Sequence, residues 1–216
     1  MTADFIREIE EDIRRDRYKR LWDRFGVYIV AVVLVLVAAV AGVSAWRTWQ
    51  ASQAAERTAQ LAVLFERAER REDGIADALR AFAQDAEGGA ATLARLEEAA
   101  VRARAGDVQA AVAIWDGIAA NPSLSSAYRD LATLLAAMHQ LYSAEPALLA
   151  ARLGPMDSDI HPYRFSAREL LAVLALRQGD TAKAKRILDA LAADPQAPEG
   201  VRSRAAELST LHGNPQ

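Results

Sequence analysis

Residues 102–122 read RARAGDVQAAVAIWDGIAANP, and residues 175–195 read ALRQGDTAKAKRILDALAADP. At an offset of 73, Gly106 matches Gly179, Asp107 matches Asp180, Ala111 matches Ala184, Trp115 matches Leu188, Ile118 matches Leu191 and Pro122 matches Pro195. Beyond the proline, Arg129 matches Arg202, Ala132 matches Ala205 and Leu135 matches Leu208. Each position has a physical task. Glycine permits the left-handed turn between two antiparallel helices. Aspartate caps the second helix. The small alanine lets the helices approach closely, and the large apolar residue four later fills the gap to the next unit. Proline ends the pair.

This pattern resembles the tetratricopeptide repeat, whose second helix carries a small residue, three others, an aromatic and then a proline. An offset of 73 is near two units of about 34 residues plus a small insertion. Residues 125–153 are then a degenerate intervening repeat, and Asp73-Gly74 marks a weaker earlier one. The first-helix Trp and Tyr of the pattern are absent, and the proline arrives about one residue early.

Working outward, every segment after residue 46 is expected to be helical. Residues 46–71 lack Gly and Pro, place Leu61, Leu64, Phe65 and Ala68 on one stripe, and end at Asp73-Gly74. Residues 75–86 carry Ile75, Leu79 and Phe82 and stop at Gly88-Gly89; residues 90–105 carry Leu93 and Leu96. Residues 108–120 carry Val112, Trp115 and Ile118, and residues 125–143 carry Tyr128, Leu131, Leu134, Leu135 and Met138. A short helix over 146–153 begins with Pro at its first turn. A loop spans 154–162, and helices over 163–178, 181–193 and 199–211 follow. Alanine is abundant and β-branched runs are scarce outside residues 27–46, which favours helix over sheet. The expected fold is all-α, a helical solenoid over 73–211 with a frayed tail at 212–216.

Before the solenoid lies VYIVAVVLVLVAAVAGVSA, residues 27–45, an uncharged run with only Tyr28 and Ser44 as polar side chains. At about 1.5 Å per residue it reaches roughly the thickness of a bilayer's hydrocarbon core. Backbone groups in lipid must pair within their own segment, so it should be one helix, with its span extending over 27–46. Trp22 and Tyr28 lie near one end and Trp46 and Trp49 near the other, where amphipathic rings meet headgroups. Val43-Ser44-Ala45 would suit a signal-peptide cleavage site, but the apolar run and the 26 residues before it are both long for a signal peptide, so an uncleaved anchor is expected. Residues 47–72 are a membrane-proximal helix.

Residues 1–26 place Phe5, Ile6, Ile9 and Ile13, then Leu21, Trp22 and Phe25, on one side of an amphipathic helix. Arg14, Arg15, Arg17, Lys19, Arg20 and Arg24 precede the apolar run, and only Arg47 and Arg57 follow it within a similar distance. The positive-inside rule puts the N-terminus in the cytoplasm and the remainder across the membrane.

The net charge of −3 gives no reason to expect a nucleic-acid partner. Without cysteine there is no thiol catalysis, disulfide or cysteine-ligated metal. His139, His161 and His212 are not at metal-ligand spacing; Glu97-Glu98 and Asp157-Ser158-Asp159 read as solvated carboxylates. No P-loop, GxGxxG or GxSxG occurs, so no enzymatic activity, cofactor or metal site is expected.

A charged N-terminus, one anchor and an exported tetratricopeptide-like domain together resemble the bacterial ancillary subunit family of the SecYEG translocon. FIREIEEDIRRDRYKRLWDRFGVYIV, residues 5–30, carries the resemblance most specifically. It implies a single-pass protein of the bacterial inner membrane with a periplasmic domain, acting as a non-enzymatic scaffold beside the translocon and periplasmic chaperones. In tetratricopeptide-like solenoids the first helix of each pair lines the concave face, which points to Arg104, Glu169 and Arg177 as partner-binding residues. The alternative is a membrane-tethered regulator of a stress-response or envelope-assembly pathway acting through its cytosolic helix.

Overall fold

The computed structural model describes residues 2–212, with side chains from residue 26 onward except at 29, 33 and 54. The expected apolar face of residues 1–26 and the tail after residue 212 therefore lie outside what is described. Among the described residues there are nine α-helices and no strand: α1 (Thr2–Glu69), α2 (Ile75–Asp85), α3 (Gly88–Arg104), α4 (Val108–Ala119), α5 (Ser126–His139), α6 (Pro146–Leu153), α7 (Arg164–Arg177), α8 (Thr181–Ala193) and α9 (Glu199–His212). Two compact units divide the chain, Met1–Glu56 and Arg57–Gln216.

In the first unit the apolar run lies within α1, and its described side chains are exposed. The part of α1 from Gly26 is long and apolar enough to cross a membrane, and its apolar window is hardly covered by protein, unlike the core helix of a water-soluble fold. Thr48 Oγ1 donates to the Ser44 carbonyl at 2.9 Å, and Ser52 Oγ donates to the Trp49 carbonyl at 2.8 Å. These hydroxyls therefore find acceptors on their own helix.

The second unit is a stack of helix pairs. α2 and α4 both pack on α3, α5 packs on α4, and α8 lies between α7 and α9. α3 also meets α5, α5 meets α7, and α7 meets α9, so the first helices of successive pairs form a row. The core is divided into layers. Leu61 and Ala68 of α1 join Ile75, Leu79 and Ala94. Leu96, Ala99, Trp115, Ile118, Ala132 and Ala136 form the next layer. Leu134, Leu149, Leu153, Met156, Leu170 and Leu174 form a third, and Phe165, Leu188, Leu191, Val201 and Ala205 a fourth.

The matched sequences are matched structures. Gly106 and Gly179 both adopt left-handed backbone, at φ 89° and 78°. Asp107 N donates to the Arg102 carbonyl and Gly106 N to the Ala103 carbonyl; Asp180 N and Gly179 N repeat both bonds to Ala175 and Leu176. This double bond closes a helix C-terminus at glycine. Asp107 and Asp180 then accept from Ala110 N at 3.3 Å and Lys183 N at 2.9 Å, capping α4 and α8. Ala111, Ala184, Trp115 and Leu188 are all 0 % exposed. Asn121 and Asp194, just before the prolines, each accept from the backbone N–H two residues on. Even the buried, unpaired Nε atoms of Arg129 and Arg202 recur at the offset.

Three expectations need correction. Met138 is 47 % exposed, because α5 is gripped on two sides: Ala132 and Ala136 face α4, while Leu134 and Ala137 face the α6–α7 layer. Leu93 is 38 % exposed, because α3 buries Leu96 and Ala99 toward α4 and Ala94 toward α2, leaving Leu93 between those faces. The expected loop over 154–162 opens with a 3₁₀ turn, Gly154–Asp157, that buries Met156.

Candidate functional site

Clamped between α2 and α4, α3 keeps two open faces. At about 100° per residue, Leu93, Glu97 and Arg104 fall on one of them, and Arg95, Glu98 and Arg102 on the other.

On the first face, Arg104 Nη2 donates to Glu97 Oε1 at 2.7 Å. Arg104 also borders a cavity of about 460 Å³ at the α1–α2 turn, lined by Arg71, Glu72, Asp73, Asp77 and Arg102 among others. The counterpart of Arg104 at the offset, Arg177 of α7, makes different bonds. Its Nη1 donates to the Leu141 carbonyl at 2.5 Å and the Ala144 carbonyl at 2.9 Å, tying down the turn after α5. Glu169 of α7 takes both donors of Arg204 on α9, from Nε at 2.6 Å and Nη2 at 2.8 Å. The carboxylate's hydrogen bonds, then its charge, hold the Arg204 guanidinium above its ordinary pKa. Of the three residues singled out from the sequence, Arg104 has its charge met, among the described residues, by Glu97 of its own helix. Arg177 and Glu169 reach across to other elements.

The second face opens into a groove of about 480 Å³ between α2 and α4, lined by Arg80, Arg95, Glu98 and Arg102 over Ala83, Ala110, Ala113 and Ile114. Glu98 is 3 % exposed, and Arg80 Nε at 3.0 Å and Arg102 Nε at 2.9 Å both donate to its Oε1. A buried carboxylate is costly unless it is paired in this way. Asp77 at the rim lies 3.3 Å from Arg80 and 3.4 Å from Arg102. Arg95 makes no ion pair among the described residues; its Nη2 lies 3.8 Å from where a Cβ on Gly117 would stand.

A smaller groove, about 240 Å³, occupies the same place on the α7–α8 pair, lined by Asp157, Arg168, Leu171, Arg186, Ile187, Ala190, Leu191 and Asp194. Arg168, Leu171 and Ile187 stand at the offset from Arg95, Glu98 and Ile114. Arg168 is fully engaged: Nε donates to Asp157 Oδ1 at 2.6 Å, and Nη2 to the Asp157 carbonyl at 2.9 Å and to Asp159 Oδ1 at 2.6 Å. The hydrogen bonds that Arg168 donates to Asp157 and then to Asp159 raise its pKa; the Arg168 hydrogen bond, then its charge, lowers that of Asp159. Both grooves escaped the sequence reading, although Arg95 and Arg168 match at the same offset of 73. That match was a signal within reach.

Among the described residues no group of three or more His, Asp or Glu is placed to hold a metal ion. His139 lies against the Trp115 ring, centroids 4.6 Å apart, and His161 Nε2 lies 3.3 Å from Asp130 Oδ2.

Stacked helix pairs with polar grooves between them define a helical-repeat domain of the kind that binds other proteins. Residues 19–144, more than half of the chain, match the family described as tetratricopeptide repeat-like domain, and the chain belongs to that family. The matched region takes in the apolar stretch and the α3–α4 pair, while α7–α9 lie beyond it. No curated protein and no solved structure matches the chain.

Proposed function

We propose that this protein is a membrane-anchored, non-enzymatic scaffold that serves the protein-export translocon and its periplasmic chaperones. The observation that carries the proposal is an exposed apolar helix, long enough to span a bilayer, in one chain with a tetratricopeptide repeat-like domain. In this reading residues 1–26 are cytosolic, 27–46 cross the bacterial inner membrane, 47–72 leave it, 73–211 form the periplasmic domain and 212–216 are its tail. The excess of Arg and Lys before Val27 supports that orientation. The translocon as partner rests on the resemblance of residues 5–30 to its ancillary subunit family. Arg104, Glu169 and Arg177 are the proposed partner-binding residues, with Arg104 the most available of them.

The test has two parts. A reporter active only outside the cytoplasm, fused after Gln216, is expected to be active, and the full-length protein is expected to resist alkaline extraction. A mature product starting near Trp46 would remove the anchor. A photo-crosslinker at position 104 in native membranes is expected to capture translocon subunits or chaperones, identified by mass spectrometry; adducts with neither would defeat the export role.

A further inference from the structure

We infer that the groove between α2 and α4 is a binding site for an acid-x-acid segment of a partner protein, with Arg95 as its central contact. The inference rests on the domain being a protein-binding scaffold, but not on its topology or on Arg104.

The second copy of the groove supplies the argument, because there the chain answers the arginine with its own acids. Asp157-Ser158-Asp159 lies across Arg168 and presents two carboxylates and one backbone carbonyl to its guanidinium. Ser158, between the two acids, is extended, with φ −76° and ψ 145°. An acid-x-acid segment, with its two carboxylates set on either side of one extended residue at a turn, is thus the occupant this arginine accepts. A guanidinium's fixed fork of donors suits such a ligand better than a point charge would.

In the first copy the arginine is in place and the acids are missing. The element before α3 is α2, which turns Arg80 and Gln84 toward the groove where the element before α7 turns Asp157. Three guanidiniums line the cavity; Arg80 and Arg102 are met by Glu98, Asp77 and Asp107, which leaves Arg95 without an ion pair among the described residues. The volume is about twice that of the second copy, 480 against 240 Å³. Ala110 and Ala113, small side chains on α4, stand where the second copy has Lys183 and Arg186, so a backbone can approach closely. The uncompensated charge of Arg95 and the room beside it both favour an incoming acidic segment.

The ion pairs on Arg80 and Arg102 also prepare the site. They fix two guanidiniums beside the groove before any ligand arrives, which lowers the ordering cost of binding. Arg95 then supplies the new bonds.

The test uses the full-length protein in neutral detergent and a fluorescein-labelled peptide of alternating serine and aspartate, read by anisotropy. Saturable binding is expected, weakening as salt rises. Arg95→Glu is expected to weaken it by about tenfold or more, as loss of a charge-assisted bond plus repulsion should. Arg70→Gln, an exposed arginine paired with Glu66 just past the end of α1 and outside the groove, is expected to change it by less than about twofold. Arg95 is exposed and unpaired, so the thermal melt should be unaltered, which separates binding from folding. Equal binding of the same peptide with asparagine for aspartate would overturn the inference, as would an unaffected Arg95→Glu variant. Loss in Arg104→Gln alone would move the site to the face of the proposed function and defeat the groove. Displacement of the peptide by phosphatidylglycerol, with lipid binding lost in Arg95→Glu, would make it a lipid site instead.

Discussion

The α3–α4 and α7–α8 pairs are hydrogen bonded alike at Gly106 and Gly179 and at Asp107 and Asp180, yet differently at Arg95 and Arg168. Positions that hold one helix against the next are shared. Positions that face outward are free to diverge: Glu98 is replaced by Leu171, Ala113 by Arg186, and an unpaired arginine by one held by two aspartates. A repeat keeps its geometry through turn chemistry and core size, and acquires a particular surface through the elements that happen to lie beside it.

The largest expected effect tests whether the two cores are equivalent. Trp115→Ala should destabilise by about 3–5 kcal/mol and Leu188→Ala by about 2–5 kcal/mol, as complete loss of a buried large side chain does. Trp115 should cost more, since it fills its layer and also carries the His139 ring. Denaturant unfolding in detergent would measure both; a negligible loss from either would mean that the repeat register is wrong.

A smaller effect should be the same in both pairs. Gly106→Ala and Gly179→Ala each put a side chain on left-handed backbone, at a cost of about 1–2 kcal/mol. A Cβ at either site meets nothing within 4 Å, so only the backbone term acts. Losses that differ severalfold between the two would show that the turns are not equivalent.

The smallest effect concerns the outward-facing difference. The Asp159 carboxyl is held below its ordinary value of 3.8 by the hydrogen bond and charge of Arg168. A carboxylate with a lowered folded pKa contributes stability above its unfolded pKa and loses it as pH falls through the folded one. The acidic turn should therefore stay seated at neutral pH and loosen only in acid, below the ordinary aspartate range. A carboxyl-carbon NMR titration should show Asp159 moving up toward its ordinary value in Arg168→Gln. An unmoved titration would separate Asp159 from Arg168, and with it the parallel to Arg95.

Much of this fold was legible because its signals are local. Glycine followed by aspartate states both a helix end and the next cap, and the spacing from Ala111 to Trp115 states which face is buried. Periodicity alone misplaced Met138 and Leu93 because α5 and α3 are each packed on two sides. A helix buried twice has two narrow stripes, and apolar residues between them stay outside. The site was less legible still. Arg177 reaches carbonyls at Leu141 and Ala144, and Glu169 meets Arg204, across sequence separations of 33 to 36 residues. No local pattern encodes such partners; they follow from how far the intervening helices carry the chain before it returns. Glu98 read as a solvated acid because its neighbour Glu97 is one, and only the arrival of Arg80 from α2 shows otherwise.

The acidic turn on Arg168 also bears on valence. A repeat that presented both arginines openly would offer two like sites on one domain, and a partner with two acidic stretches could hold both, gaining avidity from the linkage. Here one arginine is answered by aspartates of its own chain, present at a local concentration that a free partner has to outcompete. Of the two matched grooves that leaves one open, so a partner held in it alone would dissociate in one step. Release from that groove would be set by the strength of that one contact.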